Sequence, residues 1–164
     1  MPVQQSACPG CGAIFDVFEG PTHSYMYSSA ACWHEFGKLL AIEYSTEALM
    51  QTHRLSVDTY AVQHPGGHSR QAVQSVGLHL ARLIVQLEQP MPPIETNDVM
   101  LGFSKRKATL RHLEPPNAFT LTIADLAPFV GSNSHKMKLQ EWARSTWNDW
   151  QQHHQYVRDW IAGQ

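Results

Sequence analysis

Ser69-Arg70-Gln71-Ala72-Val73-Gln74-Ser75-Val76-Gly77-Leu78-His79-Leu80-Ala81-Arg82-Leu83-Ile84-Val85-Gln86-Leu87-Glu88-Gln89 carries the clearest periodic pattern in the chain. Val73, Val76, Leu80, Leu83, Ile84 and Leu87 recur at three and four residues, the spacing that lays an apolar stripe along one side of an α-helix. Pro90, Pro92 and Pro93 close it, because proline lacks the N–H that a helix interior requires. Upstream, Pro65-Gly66-Gly67 ends a helix that starts after Ser45 or Thr46 and runs to His64. Ser28 and Ser29 are natural N-caps for a helix that begins near Ala30 and passes through Trp33, Phe36, Leu39, Leu40 and Glu43.

Downstream, Val99, Leu101 and Phe103 mark a short helix from about Thr96 to Lys107, and Glu114-Pro115-Pro116-Asn117 is a loop. Thr122-Ile123-Ala124-Asp125 resembles a capping box opening a short helix that Gly131 ends. A long final helix is expected from Ser134 to Ile161. No segment has the alternation or hairpin turns of a β-sheet core, and there is no internal repeat. The expected fold class is all-α: a bundle of about five to six helices over residues 31–164. Residues 1–30, rich in Gly, Pro, Ser and Cys, form an irregular segment ordered by metal, and the whole of 1–164 is a single domain.

A chain of 164 residues is long enough to bury a core without staples, so a bound metal is expected to act as a local brace. There are 12 basic and 14 acidic residues and no basic run longer than Lys105-Arg106-Lys107. That balance argues against a nucleic-acid partner. No apolar stretch approaches the roughly 20 residues of a membrane span, and the N-terminus lacks the regions of a secretion signal. The expected location is the cytoplasm, where thiols stay reduced and clustered cysteines bind metal rather than pair as disulfides.

Cys8-Pro9-Gly10-Cys11-Gly12 is a C-x2-C hook in a tight turn, and Cys32 is the third and last cysteine. A tight turn points both sulfurs of such a hook toward one ion, and a tetrahedral zinc site needs four ligands. His23 is the first choice for the fourth, since it lies in the same irregular segment; His34 is the alternative. If His34 and Cys32 share a first helical turn, their side chains diverge by about 200°, which disfavours joint ligation.

Ten histidines are spread along the chain. His53, Val57, Tyr60 and His64 fall on one helical stripe, yet eleven residues separate the two imidazoles by roughly 16 Å, too far to share an ion. Arg54 and Asp58 are spaced as an ordinary i, i+4 ion pair. His154 falls on the apolar face of the last helix with Trp147 and Trp150, where a histidine commonly hydrogen-bonds within the core. The sharper expectation takes His53, His79 and His154 from three helices and closes them round a second divalent metal, with Asp58 or Tyr60 positioning substrate or relaying a proton.

Cys8-Pro9-Gly10-Cys11-Gly12, Gly20-Pro21-Thr22-His23, Cys32-Trp33, the run from His53 through Arg54-Leu55-Ser56-Val57-Asp58-Thr59-Tyr60-Ala61-Val62-Gln63 to His64-Pro65, and Trp150-Gln151-Gln152-His153-His154 together resemble a small bacterial family known only as a domain of unknown function. The likeness covers nearly the whole chain and implies a discrete module with no assigned reaction. In architecture the chain is also similar to the DinB-like bundles, in which histidines from separate helices hold a divalent metal. Two histidines of that family's motif lie one helical turn apart, whereas His153 and His154 are adjacent here. The expected function is therefore a cytoplasmic zinc protein with metal-dependent hydrolase or transferase chemistry on a small molecule. The competing reading is a non-enzymatic, zinc-stabilised module that docks a protein partner through exposed Trp or His side chains.

Overall fold

The stripe of residues 69–89 becomes the longest helix of the molecule, packed against the third, fifth, seventh and eighth helices. The computed structural model describes Met1–Gln164. Two short strands, β1 (Gln5–Ala7) and β2 (Ile14–Asp16), precede eight helices: α1 (Ala30–Ser45), α2 (Glu47–Met50), α3 (His53–Gln63), α4 (Arg70–Glu88), α5 (Pro93–Arg106), α6 (Ile123–Leu126), α7 (His135–Asp149) and α8 (His154–Ala162). Ser29 caps α1 by accepting from the Cys32 N–H, and Ser69 caps α4 by accepting from the Ala72 N–H. The capping box expected at Thr122 and Asp125 is formed in both directions.

Helix α3 is the hub. It packs against α1, α4 and α7, and eight of its eleven residues are buried. Gln63 is fully buried and its amide donates to the Leu121 carbonyl (2.7 Å) and to Thr146 Oγ1 (2.8 Å), tying the end of α3 to the α6 approach and to α7. One continuous apolar cluster runs from Cys8, Cys11 and Cys32 through Tyr60, Leu80 and Leu83 to Trp142, Trp150 and Trp160.

Five expectations need correction. The molecule has eight helices and not five or six, two of them single turns. The N-terminal segment contains an antiparallel hairpin, with Gln5 opposite Asp16, Ser6 opposite Phe15 and Ala7 opposite Ile14. Its strands escape a pattern search because five of their six residues are exposed and the connecting turn is the cysteine hook itself. The helix expected from residue 46 to 64 is interrupted at Gln51 and Thr52, where the Thr52 hydroxyl and N–H both turn back onto the Leu49 carbonyl (2.6 and 2.9 Å).

The long last helix also breaks. In a continuous helix the Trp147 carbonyl would accept the N–H of residue 151. Here it accepts the Trp150 N–H (3.1 Å) and the His154 imidazole Nε2–H (2.7 Å). The chain turns at Trp150, whose fully buried indole Nε1–H reaches the Val62 carbonyl (3.2 Å) near the C-terminus of α3. That carbonyl belongs to the last turn of α3, so the indole supplies a donor the helix itself does not. The tryptophans expected to be exposed for docking are core residues: Trp142, Trp147, Trp150 and Trp160 are each no more than 6% exposed.

Replacing Trp150 with Phe keeps most of the ring volume but orphans the Val62 carbonyl, and should lower stability by about 1–3 kcal/mol. Leu101→Ala, at a position 57% exposed, should stay within about 0.5 kcal/mol of wild type. Urea denaturation of the two variants side by side checks both.

Candidate metal centre

The hook Cys8-Pro9-Gly10-Cys11 is closed by its own backbone. The Gly12 N–H donates to the Cys8 carbonyl (2.9 Å) and the Cys8 N–H to the Ala13 carbonyl (2.8 Å), while Gly12 adopts a left-handed φ of 79° that suits glycine. This turn holds both sulfurs on the inner side of the hairpin, against the start of α1 and the end of α3. Cys32 sits in the first turn of α1, fixed there by the Ser29 cap.

Cys8, Cys11, Cys32 and His64 form a buried group able to hold a metal ion, their donor atoms all within 4.8 Å of one another. They are 2%, 4%, 0% and 0% exposed. The Cys11 and Cys32 sulfurs are 3.8 Å apart, and Cys32 Sγ is 3.3 Å from His64 Nε2. No other group of three or more histidine, cysteine or acidic donors in the chain converges in this way.

His64 is held in register by its second nitrogen. Nδ1 lies 2.7 Å from the Tyr60 carbonyl, which can only accept, so Nδ1 carries the proton and the Nε2 lone pair faces the sulfurs. The Tyr60 ring stacks on the imidazole with centroids 3.9 Å apart. The Tyr60 hydroxyl lies 3.4 Å from Cys32 Sγ and 2.7 Å from Ser28 Oγ, and the Ser29 N–H donates to Cys8 Sγ (3.4 Å). Two donors outside the group thus support two of its sulfurs.

Three sulfurs packed this closely cannot all ionise without a cation. Hydrogen bonds from Cys11 and Cys32 draw the Cys8 thiol far down, while the sulfurs of Cys32 and Cys8, with burial, drive the Cys11 thiol far up. Burial first, and then the Cys32 charge, raise the Tyr60 phenol, which stays protonated as a donor. A divalent ion removes this conflict by holding every thiolate at once.

The structure brings His64, and not His23, beside the three sulfurs. The His23 ring stands edge-on to Tyr25 and Trp33, and its Nδ1 accepts the Tyr25 N–H (3.3 Å). His34 stacks on Phe18, away from the group. The signal for His64 was the i, i+4 pairing of Tyr60 and His64 beside Pro65-Gly66-Gly67, but the spacing says nothing about residues 1–30 folding back upon it. That return is specific: the Tyr27 N–H donates to the His64 carbonyl (3.2 Å), and Met26 bridges to Pro65.

His53, His79 and His154 do not gather round a second ion. His53 Nε2 meets the Tyr44 hydroxyl (2.7 Å), and its Nδ1 lies 3.6 Å from the fully buried Glu43 carboxylate, which also accepts from Ser56 and, at 3.3 Å, from His135. His154 is spent on the Trp147 carbonyl and stacks on that residue's indole. His79 pairs with Asp58 at 2.6 Å. Asp58 therefore does not bridge to Arg54, whose guanidinium donates to Asn97 on α5. Tyr60, expected as a substrate-positioning group, lies wholly inside, against the cysteine group.

His64→Ala should lose bound metal, whereas His23→Ala should keep the wild-type content; elemental analysis of the untagged proteins decides. Gly10→Ala should also lose metal, since a Cβ there would lie 2.2 Å from the Tyr27 carbonyl oxygen and 2.6 Å from the His64 ring. The same elemental analysis measures that loss.

Searches among characterised proteins and among solved structures return no match. A family model does match, over residues 6–151, from the first strand through the hook, the four clustered donors and α7. The chain belongs to DUF5946, a family of unknown function.

Proposed function

We propose that this protein is a zinc protein in which the ion serves as a tertiary cross-link and not as a catalyst. Three thiolates and one imidazole are a donor set that suits zinc, and a closed set of four is the arrangement of structural sites. Two sulfurs each 2.3 Å from a tetrahedral centre are about 3.8 Å apart. The Cys11–Cys32 separation of 3.8 Å matches that edge. For a sulfur and an imidazole nitrogen the edge is about 3.6 Å, so the 3.3 Å between Cys32 and His64 needs a shift of only a few tenths of an ångström.

The observation that carries this reading is closure: all four donors are at most 4% exposed. Catalytic zinc keeps one position for water or substrate. Here a protein atom stands at each corner. The ion would carry a net charge of −1 with its three thiolates, partly offset by the donors from Tyr60 and Ser29. It would join the hairpin, the first turn of α1 and the end of α3, adding one link to the packing of α1 on α3 and the backbone pairing of Tyr27 with His64. Reduced thiols are required throughout, which fits a reducing compartment such as the cytoplasm.

Metal content of the untagged chain should be about one zinc, and Cys8→Ser should remove it. Stripping the wild-type protein with a strong chelator should lower its thermal midpoint and expose residues 1–30 to limited proteolysis, with zinc restoring both. A chelated protein of unchanged midpoint and unchanged cleavage would rule out the bracing role.

A further inference from the structure

We infer that Asp58 and His79 form a general-base dyad that hydrolyses small carboxylic esters, with His79 Nε2 as the base. The site is independent of the metal centre, so each can fail without the other.

Asp58 on α3 is 1% exposed, and burying a carboxylate so fully requires partners for both oxygens. Oδ1 lies 2.6 Å from His79 Nδ1 on α4, and Oδ2 accepts from Gln86 Nε2 at 2.5 Å. The second hydrogen of that amide goes to the Arg82 carbonyl (3.1 Å), which locks Gln86 one α4 turn further on. The carboxylate can only accept, so the His79 proton sits on Nδ1 and the lone pair on Nε2. That nitrogen makes no hydrogen bond and is not among the buried polar atoms left without a partner, so it reaches the surface. The His79 side chain is 17% exposed.

An imidazole held in one tautomer by a buried carboxylate, with its other nitrogen open, is the base-and-orienter unit of hydrolytic triads. None of the other histidines combines the two. His64 and His154 spend the relevant nitrogen internally, and His53 is covered by Tyr44.

A second imidazole, His23, offers a proton donor. Burial holds the His23 imidazole below its ordinary range, so it stays neutral. Its Nδ1 accepts the Tyr25 N–H, which leaves the proton on Nε2 for an ester carbonyl oxygen. Tyr25 and Trp33, with ring centroids 4.3 and 5.3 Å from that of His23, offer apolar faces for an aryl or short alkyl group.

In the reaction His79 Nε2 takes a proton from water as its oxygen attacks the acyl carbon. When the tetrahedral intermediate collapses, the C–O bond to the leaving group breaks and that oxygen takes the proton from Nε2. Ester and water become acid and alcohol, and the imidazole returns to its starting state.

The test is hydrolysis of p-nitrophenyl acetate by the full-length, metal-loaded protein. Wild type should exceed both buffer and His79→Gln by at least about tenfold, with His112→Ala, at another solvent-facing imidazole, unchanged. Asp58→Asn should lower kcat and, in nitrogen-detected NMR, shift His79 away from the Nδ1–H tautomer, a readout that a merely structural contact would not link to rate. If Asp58→Asn fails to fold, the comparison with His79→Gln still decides. A wild-type rate no greater than that of His79→Gln overturns the proposal, as does an equal loss in His112→Ala.

Discussion

Three sulfurs and an imidazole nitrogen buried within 4.8 Å of one another are the constraint on which the N-terminal half of this molecule depends. Without a cation, proximity forces the thiols to share protons unequally; with one, the same proximity becomes attraction. Every feature around the group serves to bring the donors there. The hook turn relies on the positive φ of Gly12, Ser29 caps α1 so that Cys32 faces inward, and the Tyr60 carbonyl orients the His64 ring. Residues 26 and 27 then run beside residues 64 and 65 in a short backbone pairing that closes the N-terminal segment over the end of α3.

Helix α3 distributes its chemistry by face. Tyr60 and His64 look toward the cysteines, Asp58 toward α4, Ser56 toward the buried Glu43 of α1, and Gln63 toward α7. Its low amphipathicity follows directly: a helix surrounded on several sides has no solvated face to pattern, and its polar residues are buried because each finds a partner. Membership of DUF5946 extends over this entire arrangement and not over the hook alone.

At the other end of the chain, aromatic packing outweighs helical continuity. Letting one helix run from residue 134 to 161 would save the backbone bonds lost around Trp150. Breaking it allows Trp150 to be wholly buried with its indole N–H satisfied, while His154 lies flat on Trp147 with ring centroids 3.9 Å apart. Burial of a tryptophan and the pairing of two buried polar groups exceed the cost of one interrupted turn. Arg106 completes this end, donating to the Trp160 and Ile161 carbonyls of the last turn of α8 (2.8 and 3.2 Å).

The residues alone determined what depends on near neighbours: the stripe of α4, the serine caps of α1 and α4, the capping box at Thr122, and a C-x2-C hook built to point two sulfurs one way. Local sterics and helical periodicity suffice for each. Tertiary structure alone decided which histidine joins the cysteines, where the last helix breaks, and that Asp58 meets His79 rather than Arg54. His64 is 32 residues from Cys32, and Trp150 is 88 from Val62. A pattern of a few residues carries no information about partners so distant in the chain. Those pairings follow from burying each polar group beside a partner, a condition that only the assembled core imposes.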